Sequence, residues 1–230
     1  MVLPAGGQRA PLFLILTIMA ILKGGALHGK VGGLIYYTRN GVSCARAMPR
    51  PRAVPPSPAQ LAQRLKMELT TRFLTPLGPV LDDTFKSADR KKRSGLNNAT
   101  SHVLREAIAG EYPDLYIVPA RVLVSHGSLA PLHNPLLALD DDRLFTLRWE
   151  PPAANPLVDN NDQVFLLAYN QTRKQVFLSQ GAASRGDGQL TLPATPEMLK
   201  GTVHLFGFLL GRMRQSASDS VFLQTLVDGV

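Results

Sequence analysis

The chain has 230 residues, of which 45% are hydrophobic, and it carries 25 Lys and Arg against 17 Asp and Glu, for a net charge of +8. This apolar share supports a folded core in one large domain or two small ones and excludes wholesale disorder. The single cysteine, Cys44, excludes an internal disulfide framework and any multi-cysteine metal site.

The positive charge is concentrated in the front half of the chain. Residues 1–113 hold 16 Lys and Arg against 6 Asp and Glu, whereas residues 114–230 hold 9 against 11. A basic front half joined to a slightly acidic rear half predicts contact with an anionic partner or with a neighbouring acidic subunit. Ordinary solvation of the charges is the alternative.

Residues 1–18 form an apolar leader, and the apolar run at 11–22 is too short to span a bilayer. With Arg9 before it, the run is typical of a signal peptide, which would send the protein to secretion. The alternative is a translation start at Met19, which would leave a cytoplasmic or particle-associated protein. We favour the start at Met19, with a membrane anchor as the remaining interpretation.

Residues 19–56 are predicted to form a glycine-rich segment, a β-hairpin and a basic, proline-rich strap. The β-branched and aromatic residues at 34–38 face an apolar stretch at 42–45 across Asn40-Gly41, which is a strong hairpin turn signal. The glycines do not complete a phosphate-binding loop motif. The strap at 48–56 carries Arg50 and Arg52 and is expected to be extended.

Residues 57–113 are predicted to be helical. Ser57, with Pro58 after it and Gln60 three residues on, forms the signature of a capped helix start. Apolar residues at 61, 65, 69 and 73 then predict one apolar stripe. The segment at 75–79 breaks this helix, and a shorter one runs to about residue 85. A further helix begins at Ser94 or Gly95 and ends at Gly110.

From residue 114 the pattern changes to short strands between turn residues, and Trp149, the only tryptophan, is expected to anchor their core. The seven predicted strands are 116–124, 144–149, 163–170, 175–179, 189–192, 202–210 and 220–226. Their spacing indicates an antiparallel β-sandwich of fibronectin type III or immunoglobulin-like type over residues 114–230. The predicted fold class is therefore α+β, a hairpin and helical segment followed by this sandwich.

Several motifs that suggest a ligand fit a structural role better. The acidic stretches at 140–142 and 159–162 cluster hard oxygens but do not follow the EF-hand order. Arg185-Gly186-Asp187 spells an integrin-recognition tripeptide and is also typical of a tight turn, which we favour. Known catalytic motifs are missing, and the five histidines are scattered. The sequence therefore predicts no enzymatic activity, cofactor, metal or small-molecule substrate.

The candidate contacts for an anionic partner are basic residues of the front half, namely Arg39, Arg46, Arg50, Arg52, Arg64, Arg90, Lys91, Lys92 and Arg93. Aromatic residues do not interleave the cluster at 90–93, so an exposed loop is favoured there over a nucleic-acid contact.

A series of motifs in fixed order resembles an uncharacterised bacterial family, the domain-of-unknown-function family 6266. The match begins with the block at 19–25 and continues through the block at 58–64. Its strongest blocks are those at 107–114 and 124–129, and the resemblance covers nearly everything from residue 19 onward. The family usually has a Trp in the hairpin, where this chain has Tyr36-Tyr37. The resemblance supports the predicted fold and implies no activity and no site residues.

Three functions fit these observations. The first is a non-enzymatic structural or protein-interaction protein with a basic docking arm, which binds a protein partner or assembles with itself. The hairpin–Arg–Pro–helix opening is similar to that of small phage and prophage structural proteins, which suggests an assembly subunit. The second is a nucleic-acid-associated protein that binds phosphates through the basic half. The third is a secreted or surface adhesion module, and an enzyme with a site between the halves is the remaining interpretation.

Overall fold

The computed structural model describes residues 20–23, 25–39, 41–49, 55–85, 94–140, 143–151, 158–179 and 183–227. The chain divides into two compact units, residues 1–55 and residues 56–230. The predicted leader at 1–18 and most of the strap, residues 50–54, lie outside the described residues.

The first unit contains a four-stranded antiparallel sheet, the meander, in which neighbouring strands follow chain order. Its strands are β1 (Ala20–Lys23), β2 (Ala26–Val31), β3 (Leu34–Arg39) and β4 (Val42–Ala47). The predicted hairpin is confirmed as β3 and β4, which pair from Arg39–Val42 to Leu34–Ala47. Gly41 in its turn has a φ of +79°, a conformation that glycine adopts without strain.

Two helices of the second unit begin where the sequence predicts. In α1 (Pro58–Leu74), the Ser57 hydroxyl accepts a hydrogen bond from the Gln60 backbone N–H, and the Gln60 side chain accepts one from the Ser57 N–H. A 3₁₀ turn at Thr75–Leu77 interrupts the chain before α2 (Gly78–Thr84). The next helix, α3 (Gly95–His102), passes into a π-helical turn at Val103–Ala107, earlier than the predicted end at Gly110.

The first predicted strand of the rear half, 116–124, is wrong beyond its first two residues. A short strand, β5 (Ile108–Ala109), pairs with β6 (Tyr116–Ile117). The chain then enters a 3₁₀ turn at Pro119–Arg121, because Pro119 has no N–H to continue a strand ladder.

Two antiparallel sheets follow. The strands are β7 (His133–Leu139), β8 (Leu144–Glu150), β9 (Gln163–Asn170), β10 (Gln175–Leu178), β11 (Ala183–Ser184), β12 (Gln189–Pro193), β13 (Thr202–Leu210) and β14 (Val221–Val227), with a short helix α4 (Pro196–Leu199) before β13. One sheet has the order β10-β9-β13-β14 with β11 alongside β9, and the other has the order β12-β8-β7.

The described part of the chain thus places eight strands in these two sheets, and the predicted seven-stranded sandwich is not confirmed. β7 escaped prediction because Pro135 lies inside it, at the shift in its register with β8. What the structure shows is a mostly β protein with antiparallel sheets and a few helices.

The two central strands of the five-stranded sheet, β9 and β13, are buried on both faces. Alternate residues of β9 and β13, among them Leu166 and Leu205, belong to a core shared with β8 and β12 of the three-stranded sheet. The residues between them, among them Phe165 and Phe206, belong to a second core shared with α1, α2 and α3. Trp149 packs in the first core, as expected, and its indole N–H donates to the Arg185 carbonyl at 2.8 Å.

Candidate functional site

One face of the meander brings basic and apolar side chains together. Ile35 pairs directly with Lys30 on one side and with Arg46 on the other, so these three side chains share a face. Tyr37 and Arg39 lie two and four residues after Ile35 along β3, so their side chains are on the same face as Ile35. Val42 pairs with Arg39 and is on that face too. We call these six residues the basic face: Lys30, Ile35, Tyr37, Arg39, Val42 and Arg46.

The meander has no buried face of its own. Every described side chain between residues 21 and 49 is exposed or only partly covered. Ile21, Leu22 and Val42 expose 63%, 69% and 62% of their surface. Large apolar side chains this exposed on one small sheet are typical of an interaction surface.

Most of the net positive charge of the chain belongs to this unit. Residues 1–55 hold seven of the 25 Lys and Arg residues and none of the 17 Asp and Glu residues, so residues 56–230 hold 18 basic and 17 acidic side chains. Neither Arg39 nor Arg46 forms an ion pair with a residue that the structure describes. The basic face therefore presents positive charge that forms no ion pair with the described part of the chain.

Three of the nine predicted contact residues can be placed. Arg39 and Arg46 lie on the basic face, whereas Arg64 is exposed on α1 in the second unit. The six others, Arg50, Arg52, Arg90, Lys91, Lys92 and Arg93, lie outside the described residues. Sequence reasoning missed Lys30, whose place beside Ile35 depends on the pairing of β2 with β3.

The Arg-Gly-Asp tripeptide forms a 3₁₀ turn, as favoured from the sequence, and its arginine points inward. Arg185 is 4% exposed, and its guanidinium donates to the Ala130 carbonyl at 2.8 Å and to the Asp162 carboxylate at 3.2 Å. A receptor that reads this tripeptide needs a free guanidinium, so the turn is structural.

The acidic loop at 159–162 uses its carboxylates internally. Asp159 accepts hydrogen bonds from the backbone and side chain of Asn161, which hold the pKa of its carboxyl below the usual range. Burial raises the pKa of Asp162, against the opposing charge of Arg185. Among the described residues there is no group of three or more His, Cys, Asp or Glu placed to hold a metal ion.

No helix within the described ranges is long and apolar enough to cross a membrane.

Comparison with known proteins places the chain in a family. The profile of a "Family of unknown function (DUF6266)" matches residues 26–223. No curated protein matches the sequence. The solution structure of the fn3 domain of the human collagen alpha-1(XX) chain is similar at 20% identity over 44% of this chain and 88% of that domain, with a TM-score of 0.28. This last likeness is too weak to bear on the fold, whereas the profile spans most of the sequence, and the chain therefore belongs to the family of unknown function DUF6266.

Proposed function

We propose that the protein is a non-enzymatic assembly protein whose N-terminal meander docks on a second copy of the chain. The observation that carries the proposal is the sheet at 20–47, in which no described side chain is buried. Small sheets gain their stability by packing a face against another layer. A sheet without a buried face therefore requires a surface from elsewhere.

A second copy is the simplest source of that surface. The described part of this unit, within residues 20–49, has no buried side chain, and a unit this small needs a permanent partner if it has no core of its own. Permanent partners are most often further copies of the same chain. Residues 1–55 carry only basic side chains, and residues 56–230 hold 17 acidic ones, so a second copy contains carboxylates with which the basic face could pair.

The composition of the exposed surface also suits a protein interface. Tyr and Arg are enriched in such interfaces, and the basic face holds Tyr37, Arg39 and Arg46. The packed sheets of the second unit would serve as a scaffold, the sandwich of fibronectin type III type that the sequence predicts. An assembly subunit of phage or prophage type is the form of this proposal that the opening of the chain suggests.

The test is the mass of the protein by light scattering over a range of concentrations. We expect an oligomer, and we expect Ile21→Ser with Val42→Ser to weaken it by about tenfold or more, because two apolar side chains lose their burial. Leu136→Ser is the matched control, since Leu136 is 73% exposed on β7 of the second unit and should leave the mass unchanged. A monomer at high concentration, with the meander packed on its own second unit, would contradict the proposal.

The second candidate is a nucleic-acid-associated protein, favoured by the lack of any acidic residue before Glu68. Binding to duplex DNA, measured by fluorescence anisotropy, would then weaken steeply with salt as phosphate contacts release counterions. Arg39→Gln with Arg46→Gln should lower the salt slope by about 2, one for each lost contact. Salt-independent binding, or no binding at low salt, excludes this candidate, and a salt-resistant oligomer without DNA affinity favours the first.

A further inference from the structure

A pocket of about 530 Å³ opens in the second unit between α1, the segment that contains β6, and the turn after β9. This volume lies in the range of small-molecule sites, roughly 300–1,000 Å³. Its apolar wall includes Leu69 and Phe73 from α1 together with Leu115 and Ile117. Its lining residues all belong to the second unit, and the pocket can accommodate an apolar body.

The charged groups at the pocket are both positive. Arg72 reaches it from the last turn of α1, and Lys174 reaches it from the turn between β9 and β10. No Asp or Glu among the described residues lines it, and neither cation forms an ion pair with a residue in that part of the chain. Two unneutralised cations on separate elements at one pocket favour an anionic ligand.

A buried hydroxyl at the same pocket also lacks a partner. Tyr169 is 0% exposed, and its hydroxyl oxygen makes no hydrogen bond to any described group. Burial raises the pKa of this phenol to about 12, against the opposing charge of Arg72, so the hydroxyl keeps its proton at neutral pH. A buried donor without an acceptor is costly and uncommon, and an acceptor oxygen from a ligand would satisfy it.

His204, which neighbours Tyr169, orients the Gln171 side chain at the pocket. His204 is 2% exposed, and burial lowers its pKa to about 4, so the ring is neutral at neutral pH. The Thr225 hydroxyl lies 2.9 Å from Nδ1, and the Gln171 Oε1 lies 2.7 Å from Nε2, which makes Nε2 the protonated nitrogen. Because this bond occupies the Gln171 oxygen, its amide N–H₂ group remains as a donor at the pocket.

We propose that this pocket binds a small amphipathic anion, a carboxylate or phosphate ester on an apolar body. The acidic head lies with Arg72 and Lys174 and accepts from the Gln171 amide or the Tyr169 hydroxyl, and the apolar body lies against Phe73 and the wall beside it. The sequence predicted no small-molecule ligand, because the residues that form the pocket come from segments far apart in the chain.

The probe for the test is 8-anilinonaphthalene-1-sulfonate, an aromatic anion whose fluorescence rises on binding. Its neutral counterpart, N-phenyl-1-naphthylamine, has the same ring system without the sulfonate. In the full chain, Arg72→Gln with Lys174→Gln should lower the affinity for the anionic probe by about tenfold or more. The affinity for the neutral probe should change by less than about twofold. Tyr169→Phe should weaken the anionic probe severalfold while the stability to urea stays equal or rises, because an unpaired buried hydroxyl is removed.

Two control variants make the result specific. Arg173→Gln removes one positive charge next to Lys174, at a residue that does not line the pocket, and should leave the affinity for the anionic probe unchanged. Arg39→Gln with Arg46→Gln removes charge from the meander and should also leave it unchanged. The proposal would be overturned if the Arg72 and Lys174 variant lost affinity for both probes equally. It would also be overturned if the Arg39 and Arg46 variant, rather than the Arg72 and Lys174 variant, lowered the affinity for the anionic probe. Both outcomes are independent of what the mass measurement shows for assembly. Competition by octanoate or by octyl phosphate then distinguishes the two acidic heads.

Discussion

The meander and the five-stranded sheet are both antiparallel, yet they differ in what covers them. Successive residues of β13, such as Leu205 and Phe206, enter two different cores, so both faces of that strand are covered. The meander has regular pairing and no buried side chain among those described, and its unit carries only basic charges. Strand pairing alone therefore does not make a self-sufficient sheet. The second unit supplies its own layers, whereas the first, under the proposed function, takes its covering surface from a partner.

The largest effects are expected from truncations on either face of β13. Leu205→Ala should lower the free energy of unfolding by about 2–5 kcal/mol and Phe206→Ala by about 3–5 kcal/mol, because each leaves a cavity in a closed core. Urea unfolding followed by Trp149 fluorescence measures both. Leu34→Ala in the meander, at a side chain 41% exposed, is the control and should cost less than about 1 kcal/mol. If Phe206→Ala cost as little as the control, the helices would not cover that face.

A pair of glycine substitutions tests the same difference through the backbone. A Cβ at Gly95 would overlap the Leu81 carbonyl oxygen and lie 2.8 Å from the Asp82 Cα, where α3 begins beside α2. A Cβ at Gly33 would meet nothing within 4 Å, and its φ lies outside the left-handed region. We expect Gly95→Ala to cost about 1–3 kcal/mol in the urea curve. Gly33→Ala should be neutral or stabilise by up to about 1 kcal/mol. Equal losses from the two substitutions would mean that the meander is closely packed.

The features that the sequence predicted correctly depend on local signals. Ser57 and Gln60 cap α1, Gly41 turns the hairpin, and β9 and β13 have the predicted bounds because turn residues border their apolar runs. The double burial of β9 and β13 also had a signal. Their unbroken apolar runs, in place of alternation, indicate strands with both faces covered. The prediction of an ordinary sandwich ignored this signal.

The candidate sites depended on distant pairings, and the sequence predicted them less well. Arg39 and Arg46 were identified by their charge. The face that they share with Lys30 depends on the register between β2 and β3, which was not predicted. The pocket is harder still, because Arg72 and Lys174 are about a hundred residues apart and meet only after the helices pack on the sheet. The spacing of these residues along the chain therefore does not indicate that they lie at one pocket.

The smallest effect on stability is expected from the basic face itself. Arg39→Ala and Arg46→Ala should each change the free energy of unfolding by no more than about 0.5 kcal/mol, because both side chains are exposed and neither forms an ion pair with a described residue. The measurement is the same urea curve, recorded below the concentration at which the chain associates.

A loss above about 1 kcal/mol would show that these arginines already pack against something in the free chain, and the difference between the two sheets would disappear. A rise in the free energy of unfolding of either variant at low salt would have another cause. Residues 1–55 carry seven basic side chains and no acidic one, so these charges repel one another, and removing one relieves the repulsion. High salt separates these cases, because it screens repulsion between exposed charges and leaves apolar packing in place. A gain that vanishes in salt would therefore identify the basic face as a surface that is destabilised by its own charge until a partner covers it.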